Sequence, residues 1–409
     1  MSERAASDKF ARKRAEILEA AAAQINLRGV KGMTLADVAR QVGLNTTSVT
    51  YYFPRKEQLA SAALALALDR LAEDAAEAAL EPTPRLRVAR LATLAFGHLG
   101  RISSGEERPA AYLSDIRALD QSLRIELARR YSEIVMAVAD FLELPDTIAA
   151  MRAHILLETL HWLPAWTPRY EQADFPRLEA RFIEVLCDGI SARGAAPWAG
   201  PSVSALGAIE ASAEATMADE FIRSATLLIN QRGYKGASVD AIAAHRNVTK
   251  GSFYHHLAGK GDLVLACFER SHSRIAAVQA AALAVPGTFG ERLGLALTAL
   301  VDLQLYSDFP LLRTTALHAL PQDVRLQVID RSNLSARRYA GMMIDGITDG
   351  SIAAIDPLVA SQVIMAAVNS AAELRRWAQD MTHEAVVADY AAALARGLLA
   401  PATKGNPTS

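Results

Sequence analysis

Residues 248–257 read VTKGSFYHHL, and residues 44–53, which lie 204 positions earlier, read LNTTSVTYYF. Both segments are short and polar with rings near their ends, and their neighbours match at the same offset, as Gly29 does with Gly233. An offset that stays constant over more than forty residues indicates a tandem duplication. The chain of 409 residues therefore contains two copies of one plan, each about 200 residues long.

The composition favours helices. Hydrophobic residues make up 51% of the chain and aromatic residues only 6%, a mixture that suits packed helices better than sheets. Apolar residues also recur at helical spacing within each copy, so the predicted fold class is all-α. Residues 193–216, rich in Gly, Pro, Ser and Ala, form a predicted linker that would reach about 70 Å when extended and restrict the copies little.

Three short helices are predicted at the start of the first copy. The first should end at a left-handed cap formed by Gly29. Thr34 is the predicted N-cap of the second, with Asp37 as its capping partner. A turn at Gly43 then leads into a third helix from about residue 45 to residue 52. Two short helices joined by such a turn form a helix-turn-helix.

The third helix has the properties that major-groove recognition requires: it is short, exposes small polar side chains and is flanked by groups that can bind phosphates. The candidate DNA-binding residues of the first copy are Thr46, Thr47, Ser48, Thr50, Tyr51, Tyr52 and Lys56. Those of the second copy are Lys250, Gly251, Ser252, Tyr254, His255, His256 and Lys260. The net charge of the chain is −2, yet residues 1–56 carry ten Lys or Arg against five acids, so positive charge is concentrated around the first helix-turn-helix.

These residues carry a resemblance to a known family. SVDAIAAHRN followed by VTKGSFYHHLAGKGDL, and MTLADVARQVGLNTTSVTYYFPRKEQL in the first copy, resemble the DNA-binding domain of the tetracycline-repressor-like (TetR/AcrR) family of bacterial transcription regulators. The resemblance implies a three-helix head that reads DNA and a helical domain that dimerises and binds an effector. It implies double-stranded operator DNA and a small-molecule effector as partners, with no cofactor. It also implies an intramolecular pseudo-dimer, with a homodimer of tandem chains as the alternative.

The resemblance divides the chain into five segments. They are a first helix-turn-helix domain (1–60), a first ligand-binding and dimerisation domain (61–192), the linker (193–216), a second helix-turn-helix domain (217–264) and a second ligand-binding and dimerisation domain (265–401).

The two heads differ from the family pattern in different ways. Thr50 stands where the family has Tyr, and Arg246 stands where it has a small or apolar residue. The second copy, which reads EASAEATMADEFIR over 210–223, also lacks the basic arm DKFARKR of the first. We favour two working heads that read different half-sites of an asymmetric operator. The alternative is that one head is a structural remnant.

A polar face in the first helical domain is the candidate effector site. His154, Glu158 and His161 share one side of a helix by i, i+4, i+7 spacing, and Trp162 follows. In the second copy Asn369 lies on a similar face, with Trp377 further along. The alternative is a buried, inert histidine pair, and no metal site is predicted, because a third kind of metal ligand is not in view.

Other functional classes find little support. The sequence contains no G-x-S-x-G, H-E-x-x-H or GxxxxGK[ST] motif, so an enzyme is not predicted. A helical module that kept the fold and lost DNA binding remains the alternative. The polar first residues and the lack of a long uncharged apolar run predict a cytoplasmic protein with no membrane partner.

Overall fold

The computed structural model describes residues 2–196, 198, 217–245, 259–314, 317, 320, 322–378 and 381–401. Within these residues the chain forms α-helices and short 3-10 helices, and the one β-type pairing is an isolated bridge between Ser191 and Ile352. The predicted all-α class is therefore confirmed.

The described part of the first copy contains eight α-helices. They are α1 (Ser2–Gly32), α2 (Leu35–Gln41), α3 (Thr46–Tyr52), α4 (Lys56–Ala78), α5 (Pro84–Ser104), α6 (Gln121–Asp140), α7 (Asp146–Trp166) and α8 (Phe175–Asp188). A 3-10 helix, Leu113–Ala118, lies between α5 and α6. Two shorter 3-10 helices, Thr167–Arg169 and Gln172–Asp174, connect α7 to α8.

The described part of the second copy repeats this order. Its helices are α9 (Met217–Gly236), α10 (Val239–His245), α11 (Lys260–Ala284), α12 (Phe289–Tyr306), α13 (Gln322–Thr348), α14 (Pro357–Ser370) and α15 (His383–Arg396). A 3-10 helix, Ala371–Arg376, follows α14. The predicted third helix of the second head falls within residues 246–258, which lie outside the described residues.

A glycine bends the first helix of each copy. Gly29 has φ 69° and ψ 163°, and Gly233 has φ 72° and ψ 166°. The positive φ agrees with the sequence analysis, but the extended ψ differs from a left-handed cap, and one more helical turn follows the bend. This region of φ and ψ is accessible to glycine almost alone, which explains the residue at both positions.

The last two helices of each copy pack against those of the other. α7 and α8 contact both α14 and α15. The chain ends of this bundle interlock, because Ser191 N donates to Ala395 O (2.8 Å) and Leu398 N donates to Leu186 O (2.8 Å). One apolar core thus runs through both copies.

Among the described residues, two ion pairs cross this interface. Arg152 of α7 is fully buried and binds the Asp389 carboxylate of α15 with both Nε (3.1 Å) and Nη2 (2.7 Å). Its Nη1 donates to the carbonyls of Leu398 and Ala400. At the edge, Arg177 Nη1 lies 2.7 Å from an oxygen of Asp356.

The beginning of the linker is packed rather than free. Trp198 is buried, and a Cβ atom added to Gly294 of α12 would collide with its indole ring. The expectation that the linker barely restricts the copies is therefore wrong at this end, because the ring fills a groove that glycine leaves open.

One stretch is apolar and long enough to cross a membrane. It is Pro357–Leu374, with a mean hydropathy of 1.2, and the sequence analysis did not single it out. In the structure 67% of it is buried, because α14 packs against α7, α8, α12 and α13. Its apolar character therefore serves the protein core.

Candidate nucleic-acid interface and a shared cavity

Side-chain caps fix the geometry of the first helix-turn-helix. Thr34 Oγ1 accepts a hydrogen bond from Asp37 N (3.1 Å), so it is the N-cap of α2. The hydrogen bond from the Thr34 hydroxyl, together with Arg28 and Arg40, holds the pKa of Asp37 below its usual value. Asn45 Oδ1 accepts from Ser48 N (2.7 Å) and caps α3 in the same way.

α3 is anchored by one apolar residue and turns its polar residues outward. Val49 is completely buried. Thr46, Thr47 and Tyr51 are exposed, whereas Ser48, Thr50, Tyr52 and Lys56 are half-buried. The Thr50 hydroxyl donates to Thr47 O (2.8 Å), which leaves its oxygen free only as an acceptor. Tyr51 is 76% exposed, whereas the neighbouring Tyr52 is half-buried.

The aromatic end of α3 contacts the N-terminal part of α1. The Phe10 ring stacks on Tyr52 (centroids 4.7 Å apart) and meets Tyr51 edge-on (6.0 Å). Phe10 belongs to the basic arm DKFARKR, in which Lys9 and Arg12 are exposed. Cations of α1 and the polar surface of α3 therefore adjoin, an arrangement that suits a phosphate backbone next to a groove.

Lys56 and Lys260 begin the helices that follow the recognition segments. Lys56 is the first residue of α4, and its ammonium donates to Lys31 O (3.0 Å). Lys260 is the first residue of α11, and its ammonium lies 4.6 Å from the centre of the Tyr234 ring. Both are half-buried, so each is partly accessible and is also engaged within its head.

The described part of the second head matches the first. Ser238 Oγ accepts from Ala241 N (3.1 Å), as Thr34 does from Asp37 N. Ile242 is buried beneath α10 as Val38 is beneath α2. The candidate residues Lys250, Gly251, Ser252, Tyr254, His255 and His256 lie outside the described residues.

A cavity of about 1100 Å³ lies in the first helical domain and is partly walled by the second copy. Its apolar lining includes Leu71, Leu91, Leu99, Ile102, Leu160 and Leu163. Of the candidate effector residues, it brings together Glu158, His161, Trp162 and Asn369. Asn369 comes from α14, so the face predicted for the second copy contributes to the cavity of the first.

The polar end of the cavity combines charges from both copies. Arg313, which is almost completely buried, forms an ion pair with Glu373, and this cation lowers the pKa of the Glu373 carboxyl. Burial acts to raise the pKa of Glu158, but His161, with Nδ1 3.7 Å away, and Arg313 lower it overall. Both carboxylates are therefore ionised at neutral pH.

His154 and Trp377 lie behind this wall instead of lining it. The two rings are 6.0 Å apart, and burial lowers the pKa of His154, so its imidazole is neutral. Neither imidazole nitrogen has a hydrogen-bond partner among the described residues, and neither has the Trp377 Nε1. Within the described part of the chain, no group of three or more His, Cys, Asp or Glu is placed to hold a metal ion.

The sequence analysis missed a pair of asparagines that join the heads to the helical body. Asn26 of α1 donates to Ala110 O (2.8 Å) and accepts from Tyr112 N (2.9 Å). Asn230 of α9 donates to Leu311 O (2.9 Å) and accepts from Arg313 N (3.0 Å). The two asparagines are 204 positions apart, so their identity in the repeat was a signal for this role.

Comparisons with known proteins agree with the duplicated heads. The model for bacterial regulatory proteins of the tetR family matches residues 17–63 and 221–267. The transposon Tn10 TetC protein of Escherichia coli is 41% identical over 49 residues, which are 12% of this chain and 25% of that protein. The match thus spans about a quarter of the curated relative.

Two solved structures of TetR-family regulators each cover less than half of this chain. A TetR family transcriptional regulator, PfmR from Thermus thermophilus, is 21% identical and covers 44% of this chain and 98% of its own, with a TM-score of 0.37. A TetR-family transcriptional regulator from Bordetella parapertussis is 21% identical and covers 42% and 92%, with a TM-score of 0.35.

Proposed function

We propose that this chain, whose two heads each match the model for tetR-family regulatory proteins, is a DNA-binding transcription regulator. The observation that carries the proposal is the second family match, which lies 204 residues from the first. Two heads on one interlocked body are what a protein needs to contact two half-sites of a duplex.

The first head supports DNA binding by its surface chemistry. Thr46, Thr47 and Tyr51 are exposed on α3, and the basic arm lies against the same helix. Small hydroxyl side chains can contact base edges, while the tyrosine hydroxyl and nearby cations suit phosphates. The arrangement favours α3 as the recognition helix of the first head.

We infer that one chain acts as a covalent pseudo-dimer. α7, α8, α14 and α15, the helices that the family resemblance assigns to dimerisation, already pack against each other within the chain. The buried pair of Arg152 and Asp389 fixes that packing. A second chain would have to displace this interface to dimerise through it.

The operator of such a protein is asymmetric. Positions 46, 47, 48 and 50 carry Thr, Thr, Ser and Thr, whereas the matching positions of the second copy carry Lys, Gly, Ser and Tyr. Different side chains select different base edges, so the two half-sites differ in sequence.

A second candidate function, an effector-binding module with one silent head, is favoured by the missing basic arm of the second copy.

The cavity favours a ligand-responsive regulator, and we propose that it acts as a repressor in the cytoplasm. A ligand changes DNA binding only if it prefers one spacing of the heads over another.

Selection of bound DNA from a random pool, with the mass of the complex measured alongside, tests the proposal. One chain on an asymmetric site is expected; a palindrome bound by two chains would contradict it.

The salt dependence of DNA affinity distinguishes a regulator with two working heads from one with a silent second head. A chain that neutralises Z phosphates through both heads should lose affinity with a slope of about −0.9Z in a plot of log K against log salt. Lys56→Gln and Lys260→Gln should each reduce the slope if both heads touch DNA. An effect confined to Lys56→Gln would mean that the second head is silent.

A further inference from the structure

The large cavity is lined by residues of both copies. Its inner wall carries Arg313, Asn369 and Glu373 of the second copy opposite Glu158 and His161 of the first. We propose that it is a single site, built by both copies, that takes one elongated amphipathic anion per chain and is connected to both heads through the loops held by Asn26 and Asn230. The connection to the heads rests on the proposed function, whereas the binding site does not.

The charge of the ligand follows from which cavity residues are already paired. The lining acids are all engaged: Asp74 with His98 (3.1 Å), Glu373 with Arg313, and Glu158 with His161 and Tyr131. Two lining arginines differ in this respect. Among the described residues, the Arg124 side chain has no hydrogen-bond or ion-pair partner, and the Arg376 guanidinium, which lies over the Trp377 ring, donates only to the neutral Ala128 O and Ser132 Oγ.

Both arginines reach the α6 side of the cavity. Arg124 lies on α6, and Arg376 donates to Ala128 O and Ser132 Oγ, which are one and two helical turns after Arg124 on that helix. Arg376 is exposed and Arg124 half-buried, so both stand where the cavity meets solvent. Guanidinium groups bind carboxylates and phosphates with paired hydrogen bonds, and here one arginine comes from each copy.

The rest of the ligand must be apolar and long. Leu71, Leu91, Leu99, Ile102 and Leu160 line the cavity from α4, α5 and α7, whereas Arg124 lies on α6 and Arg376 on the 3-10 helix Ala371–Arg376. A cavity of about 1100 Å³ exceeds the usual size of a site for a small polar metabolite. A ligand with a long hydrocarbon chain and an anionic group at one end would pack its chain against the apolar lining and place its charge beside the two arginines.

Three residues that line the cavity are hydrogen-bonded to the first helices of the two heads. Ala110, Tyr112 and Arg313 line the cavity, and Asn26 and Asn230 hold the same three residues by hydrogen bonds to their backbone.

Two further bonds strengthen these connections. Asp115 Oδ2 accepts from Val30 N of α1 (2.8 Å), and Arg117 of the first copy donates to Asn230 O of α9 (2.9 Å). A ligand that shifts either loop therefore moves backbone to which a head is bonded, and one ligand reaches both heads.

Direct binding to the full chain tests the site without DNA. The probe is cis-parinaric acid, a fluorescent long-chain carboxylate, titrated into the protein and displaced with hexadecanoate or hexadecanol. We expect one probe per chain, displaced by the acid far better than by the alcohol. No saturable binding, two equal sites per chain, or equal displacement by the alcohol would overturn the proposal.

Matched variants test the shared opening. Arg124→Gln and Arg376→Gln should each weaken probe binding roughly tenfold or more, because each removes a charge-assisted hydrogen bond. Arg129→Gln is the control, since Arg129 also lies on α6 but pairs with Glu133 and does not line the cavity. Loss from Arg124→Gln alone would show that Arg376 of the second copy does not bind the anionic group, which contradicts an anion held by both copies.

Hydrogen exchange tests the connection to the heads. Probe binding should slow amide exchange in residues 110–115 and 311–314 and alter it in both α1 and α9. Changes restricted to the first copy would refute the connection to the second head. A chain that binds the probe but no selected DNA would refute the proposed function and leave the site standing; the reverse result would refute the site alone.

Discussion

Substitutions at Tyr51 can show whether its hydroxyl contacts DNA or whether its ring only supports the first head. Its ring is 76% exposed and also meets Phe10 and Tyr52. Tyr51→Ala should weaken operator binding about fivefold or more, through loss of a phosphate hydrogen bond worth about 1 kcal/mol and of ring packing. Tyr51→Phe separates the two by keeping the ring. If Tyr51→Phe binds selected DNA like the unaltered chain in a titration, the hydroxyl makes no contact.

The sequence analysis pairs this position with His255 of the second copy. His255→Ala should also weaken binding if both heads read DNA. The same titration measures it, and an unchanged affinity for the whole asymmetric site would favour the silent second head.

His98 gives the first helical domain a pH-dependent stability. Its imidazole lies within 3.2 Å of carboxylate oxygens of both Asp74 and Glu107, and the hydrogen bond to Asp74 chiefly raises its pKa above 6.5. A raised pKa in the folded state stabilises the fold fully below the unfolded value and ceases to do so as pH rises through the folded value. The urea midpoint should therefore fall above pH 6.5.

His98→Gln is the matched variant. It should flatten the fall in the urea midpoint over the same pH range, because the group that titrates has been removed. An unchanged pH dependence in this variant would show that another group is responsible.

Individual residues also show where sequence reasoning succeeds and where it stops. Thr34 could be assigned from the sequence as the N-cap of α2, because a cap depends on residues that are neighbours in the chain. His154 and Trp377 could not, since what surrounds each ring is decided by packing between copies. The shared cavity was missed for the same reason: its wall combines α14 with helices about 200 residues earlier.

Among the helical elements, the two bent helices offer an internal comparison. Gly29 and Gly233 have nearly identical backbone angles, but a Cβ at Gly29 would lie 3.2 Å from Asp115 Oδ2 and one at Gly233 would meet nothing within 4 Å. Each Gly→Ala change should destabilise its head by about 1–3 kcal/mol through backbone strain. Gly29→Ala should cost more, because it also disturbs the Asp115 bond to Val30. Urea unfolding followed by hydrogen exchange in each head would measure both; equal costs would mean that Asp115 adapts freely.

Of the two ion pairs described between the copies, the buried one between Arg152 of α7 and Asp389 of α15 should destabilise the protein more when it is broken. Asp389→Ala leaves the buried Arg152 without its carboxylate, and such a loss costs about 3–5 kcal/mol. Replacing both residues, as Arg152→Met with Asp389→Leu, should recover most of that loss. The free energy of urea unfolding checks this, and a double variant no better than the single would point to the carbonyls of Leu398 and Ala400 as the essential partners.

For the whole molecule, the direction of the ion pairs predicts how its halves associate. Both pairs that we describe across the interface join an arginine of the first copy to an aspartate of the second. Halves produced as separate chains, divided within residues 199–216, should therefore form a one-to-one complex in preference to like pairs. Native mass spectrometry of mixed halves would show this, and a statistical mixture of pairs would contradict it.

The same one-way charge pattern bears on the freedom of the sequence to change. In a symmetric homodimer every substitution occurs twice, and both sides of the interface carry the same residues. Here Arg152 occurs once and faces a different partner, so the two sides of the body need only fit each other. Under the proposed function, a change in one recognition segment would likewise alter the sequence preference for a single half-site. One half of the fused chain could then change its DNA specificity while the other half keeps its own.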